Sequence, residues 1–117
     1  MLEPENTIQK FREIISQALN ILSKFSSSLP EQQVVENLNK FFEFFVGDFC
    51  PFYESNKSTF APNRDMIDII INLFNKLVEN LKKEDFNSAQ NDLNAIDRSL
   101  KTLNDALAAR LLEAKPE

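Results

Sequence analysis

The chain has 117 residues, enough for one domain with a real core and too few for two. It is 43% hydrophobic and 26% charged, with one glycine and five prolines, which excludes a disordered chain and leaves little turn material for an all-β fold. Its 13 basic and 18 acidic residues form no basic block, so neither nucleic acid nor an anionic membrane surface is an expected partner.

Thr7 to Phe25 has the spacing of a first helix. Ile8, Phe11, Ile15, Ala18, Leu22 and Phe25 step by three and four, and Ile14, Leu19 and Ile21 widen the stripe. Ser26-Ser27-Ser28 ends it. Ser28 and Glu31 then have the spacing of a capping box, with Pro30 in the first turn, where an amide is not needed. The second helix is predicted from about Pro30 to Val46. Val34, Val35, Leu38, Phe41, Phe42, Phe45 and Val46 project to one side, and Gly47 stands where a left-handed C-cap residue belongs. Phe44 does not fit that face. It points among Gln33, Asn37 and Lys40, so either another element or a partner is expected to cover it.

Asp48 to Asn63 is predicted to be a long irregular loop. It holds Pro51, Pro62 and the polar run Glu54 to Thr59, together with Phe49, Phe52, Tyr53 and Phe60. Connections this long in small domains are uncommon and often functional or mobile. The loop itself is one candidate cover for Phe44.

Arg64 to Leu112 reads as a two-helix hairpin, Met66–Lys83 turning at Glu84-Asp85 into Phe86–Leu112, with Asn63 as the first arm's cap. On the first arm Ile67, Ile70, Phe74, Leu77, Val78 and Leu81 form a face that Met66, Ile69, Ile71 and Leu73 widen almost to the full circumference, the pattern of a central helix. Lys82 and Lys83 suit the negative end of that helix, and Asp85 is the expected N-cap of the next. The last helix carries a narrow heptad stripe: Phe86, Ala89, Leu93, Ile96, Leu100, Leu103, Leu107 and Leu111. It exceeds its neighbours by roughly eight residues, or about 12 Å. Leu103, Leu107 and Leu111 are therefore expected to reach a partner, with a homodimer as one form. The tail from about Glu113 is expected to fray.

The chemistry is sparse. The chain has no histidine and a single cysteine, which removes the commonest general base, Cys/His metal sites and an internal disulfide. One glycine cannot build a phosphate-binding loop. Asp65 with Asp68, and Asp92 with Asp97, have the spacing of solvated helix faces. Cys50 lies between aromatic and acidic neighbours, where nothing lowers a thiol pKa. No enzyme activity, cofactor or metal is expected. The first five residues have no signal-peptide pattern, and no apolar run reaches the roughly 20 residues of a membrane span, so a cytoplasmic location without membrane insertion is expected.

The stretch Leu77 to Gln90 combines a leucine pair, the charged turn Lys82 to Asp85, Phe86 and Ala89. It resembles the helical hairpin in the C-terminal domain shared by the COPII outer-coat subunit and steroid receptor RNA activator protein, and Asn37 to Phe42 is loosely similar to an earlier helix there. That resemblance implies a helical scaffold subunit and a coat-assembly role. Flagellar and type III export chaperones use a similar turn.

The expected fold is all-α: a single four-helix, mostly antiparallel bundle over residues 1–117 with a long loop between helices two and three. The expected function is a non-enzymatic protein–protein interaction module, an adaptor or scaffold subunit whose partner is another protein. The candidate partner residues are Phe44, Phe52, Tyr53 and Phe60 around the second helix, and Leu103, Leu107 and Leu111 on the last. The alternative is an export-type chaperone that shields an amphipathic client segment. A third reading places a small apolar ligand among the phenylalanines.

Overall fold

The computed structural model of the chain describes residues 4–25 and 31–114. The predicted serine stop, the Ser28 cap and Pro30 lie outside the described residues. The fold is an all-α four-helix bundle, and no strand occurs among the described residues.

Helix α1 (Pro4–Leu22) begins before its apolar stripe does, because proline is tolerated in a first turn and Glu5 suits the positive helix end. Its inner stripe is the expected one, with Ile8, Phe11, Ile15, Ala18 and Leu22 buried. The second helix is α2 (Glu31–Phe44), which runs without a break through a π-helical turn, Phe45–Phe49, into α3 (Cys50–Ser55). A short 3-10 turn, Ala61–Asn63, leads into α4 (Arg64–Lys82), and α5 (Phe86–Ala114) closes the bundle.

Side-chain hydrogen bonds fix the directions. Arg12 Nε donates to Asn104 Oδ1 at 3.1 Å, Asn80 Nδ2 to Asp92 Oδ2 at 2.6 Å, and Arg110 Nη1 to Asn63 Oδ1 at 2.8 Å. Low numbers on α1 and α4 thus meet high numbers on α5, so α5 runs antiparallel to both. It lies between them, and its backbone is closest to α4. The α2–α3 helix crosses back over α1 and reaches α4 mainly through phenylalanine rings, whose size holds the backbones apart.

Three expectations are corrected here. The stretch Asp48 to Asn63 is largely helical: Pro51 falls in the first turn of α3, where no amide is required. Gly47 does not end a helix. It has no positive φ and lies inside the π turn. Helix α4 is not buried all round either. Ile67, Ile70, Phe74 and Leu77 are buried, but Met66 and Ile69 remain 36% and 54% exposed.

The π turn has a legible cause. Phe41, Phe45, Phe49 and Tyr53 are all buried and four residues apart. At about 100° per residue, each such step on an α-helix overshoots a full turn by about 40°, so the fourth ring would leave the core. A π turn is wider, with i→i+5 bonding, and four of its residues fall short of a full turn. One such turn at Phe45–Phe49 cancels the drift and returns Tyr53 to the inside.

The α4–α5 turn is made by Glu84 and Asp85. Glu84 has φ 58, its amide donates to Leu81 O at 3.1 Å, and the Asp85 amide donates to Asn80 O at 2.9 Å. This is the paired closure of a helix end around one left-handed residue. Asp85 then caps α5 as expected: its carboxylate accepts from the Ser88 amide at 3.2 Å and the Ser88 hydroxyl at 2.8 Å. Those hydrogen bonds, from the hydroxyl first, hold its carboxyl below the usual value. Glutamate is a costly residue at positive φ, by about 1–2 kcal/mol. Glu84→Gly is therefore expected to raise stability by about 1 kcal/mol, read as a higher urea midpoint with unchanged slope. A lower midpoint would show that the Glu84 side chain contributes more than its backbone costs.

Helix α5 continues through Ala114, and the rest of the tail expected to fray lies outside the described residues. No helix among the described residues is long and apolar enough to cross a membrane.

Candidate partner-binding groove

The expected partner residues divide sharply. Tyr53, Phe60, Leu103 and Leu107 are buried, so no partner reaches them in this fold. Tyr53 and Phe60 turn inward because the connection that was expected to be a loop is wound into helix and 3-10 turn. Leu103 and Leu107 are covered because α1 and the 3-10 turn extend to the far end of α5, as the Arg12–Asn104 and Arg110–Asn63 bonds show. Leu111 is half-buried and packs on the core. The overhang expected at these leucines is not present.

Phe44 and Phe52 behave differently. Both are half-buried, pack against the core on one side, and line one groove between α1 and the α2–α3 helix. Lys10 and Ile14 form its α1 wall, and Gly47 and Asp48 lie in the π turn between the two phenylalanines. The cleft holds about 390 Å³, the lower range of ligand-sized sites. Facing Phe44 across the groove is α1, another element of the chain but not the Asp48 to Asn63 stretch considered for it. Beneath Phe52 lies Phe11, at 5.6 Å between ring centres, and Phe11 in turn meets Phe49 at 5.1 Å and Phe60 at 4.4 Å. The groove wall is thus the outer layer of a rigid ring stack.

Gly47 determines its depth. A methyl group built there would meet nothing within 4 Å. The glycine therefore leaves open space that any side chain would enter. Lys10 and Asp48 put opposite charges on the rim, beside an apolar floor. The groove can seat an apolar side chain or two while the rim orients the polar side of the same segment.

Several carboxylates elsewhere are held by neighbours on the helices. Asp68 lies 3.7 Å from Arg64 and Asp97 lies 2.9 Å from Lys101, both within α-helical turns. Asp92 accepts from Asn80. Burial first, and Glu54 second, push the Cys50 thiol up, which keeps it protonated. No group of three metal-ligating side chains occurs among the described residues. Asn63 stands at the N-cap of α4 but makes no capping bond; its side chain faces Arg110 instead. Sequence reasoning missed Lys10, Ile14, Gly47 and Asp48. The signal that could have found them is the four-residue spacing of Phe41, Phe45, Phe49 and Tyr53, which a helix holds inward only with a wide turn at Gly47.

In comparisons with known proteins no family model matched the chain, and no curated protein or solved structure matched it either.

Proposed function

We propose that this bundle is a non-enzymatic interaction module, an adaptor or scaffold subunit, that holds an amphipathic segment of another protein in the α1–α3 groove. The observation that carries this reading is the pairing of Phe44 and Phe52 across an open Gly47. Two aromatic walls supply the apolar contact that dominates such interfaces. Lys10 and Asp48 supply orientation. The free, half-buried Cys50 supports a reducing compartment such as the cytoplasm. The groove's size for a single segment also favours the chaperone form of this role, in which the segment belongs to a client awaiting export.

The test is Gly47→Leu. The new side chain enters open space on a helix, so the thermal melt is expected to stay level or rise, glycine costing about 0.5–1 kcal/mol in a helix. It also fills the groove. A photo-crosslinker at Ser55, on the groove rim, should capture a discrete partner from the wild-type chain and lose at least about nine-tenths of it in Gly47→Leu, a loss of about 1.4 kcal/mol or more. Undiminished capture would overturn the groove as the binding site. Identification of the captured segment separates a resident assembly partner from an exported client.

A further inference from the structure

Across the bundle from this groove lies a second surface that the core does not explain. With α5 between α1 and α4, and the α2–α3 helix over α1, the outer α4–α5 face is opposite the α1–α3 groove. Met66 and Ile69 are exposed on it, and with Arg98, Ser99 and Thr102 they line a shallow cleft. Ile69 at 54% exposure is costly to leave in water on a helix that has a complete inner stripe.

We infer that this face binds a second copy of the same chain, in a two-fold arrangement centred on Ile69 and Thr102. The charge pattern selects that occupant. On α4, Asp65, Ile69 and Lys76 lie four and seven residues apart, on one side of the helix. On α5, Arg98, Thr102 and Asp105 are spaced four and three apart. The Asn63–Arg110 and Asn80–Asp92 bonds set the level of one helix against the other. They put Asp65 and Asp105 together towards one end of the face, and Lys76 and Arg98 together towards the other. None of the four is ion-paired among the described residues. A two-fold axis through the apolar middle sets the acidic end of each copy on the basic end of the other. The face is therefore complementary to itself, as an isologous interface must be. The molecule measures 50 × 22 × 21 Å, so one side of it is large enough for the roughly 800 Å² per partner of a standard interface. This pairing does not rest on the groove, which stays open on the outer side of each copy.

Sedimentation equilibrium tests it. The wild-type chain should dimerise, with a dissociation constant that rises with salt as exposed charge pairs are screened. Ile69→Glu should raise that constant at least about tenfold while leaving the helical circular dichroism unchanged, and the melt unchanged at dilutions where both proteins are monomeric, since the residue is exposed. The sharper variants are charge reversals. Lys76→Glu with Arg98→Glu makes both ends acidic, and Asp65→Lys with Asp105→Lys makes both ends basic. Each should be monomeric alone, and an equal mixture should form a heterodimer. A wild-type monomer at about 100 µM, a dimer indifferent to Ile69→Glu, or a mixture that fails to pair would each overturn the inference.

Discussion

Phe74→Ala is expected to cost about 3–5 kcal/mol, the usual loss for a buried phenylalanine cut back to its Cβ. The position is more exacting than its place on α4 suggests. The Phe74 ring stacks on Phe45 with centres 4.2 Å apart and planes 16° from parallel. Phe42 meets it edge-on at 5.3 Å, and Phe41 lies at 6.0 Å. Phe74 is thus the contact through which α4 holds the α2–π–α3 helix, while the backbones of α2 and α4 stay well separated. Removing the ring leaves a void between two elements that have little else to close it. Small domains have about 5–15 kcal/mol in all, so the variant should be partly unfolded or close to it. Urea denaturation followed by circular dichroism gives the number. Leu81→Ala is the internal comparison: Leu81 is only half-buried, and its loss should be well below that of Phe74. A Phe74→Ala loss below about 1 kcal/mol would mean that α2 is held by something other than the rings.

What was legible in the sequence was what depends on local period. The α1 stripe steps by three and four, so its faces follow from helix geometry alone, and Ile8, Phe11, Ile15, Ala18 and Leu22 are buried as expected, while Phe25 lies past the helix end and is half-buried. The Asp85 cap and the hairpin turn are equally local. What was not legible depends on neighbours. Gly47 follows an apolar run and is the only glycine, so it reads as a stop, yet its helix continues. Pro51 and the polar run after it read as a loop, although proline suits the first turn of α3. The apolar excess of α4 reads as burial on all sides, while Met66 and Ile69 stay in water. The length of α5 reads as an overhang because the contribution of the α3 region to the far end of the bundle cannot be counted from helix lengths. Phe44 and Phe52 read from the sequence as candidate partner residues, but the groove that joins them exists only because α1 packs beside the π turn.

Insertion of one alanine after Gly47 is expected to have the largest effect of any single-residue change outside the ring stack. A π turn is an α-helix that already carries one inserted residue. A second inserted residue rotates everything after it by about 100° relative to everything before it. If Phe41 and Phe45 keep their places, Phe49 and Tyr53 turn out of the core. If Phe49 and Tyr53 keep theirs, Phe41 and Phe45 turn out instead. Either way two of four buried aromatics are lost, at about 1.5–3 kcal/mol each, or about 3–6 kcal/mol together. Phe45 carries the stack on Phe74, and Phe49 carries the contact with Phe11, so neither register preserves the run of rings from α4 to α1. Deletion of Gly47 is the control for length. It returns the π turn to ordinary helix and spaces the rings four, three and four residues apart, which keeps all four within about 60° of one another. The glycine's own chemistry does not account for the loss either, because Gly47→Ala keeps the residue count and should stabilise by up to about 1 kcal/mol. Urea midpoints should therefore fall steeply for the insertion, fall far less for the deletion, and rise for the alanine. An insertion variant as stable as the wild type would show that the length of this segment is not what keeps Phe41, Phe45, Phe49 and Tyr53 on one side.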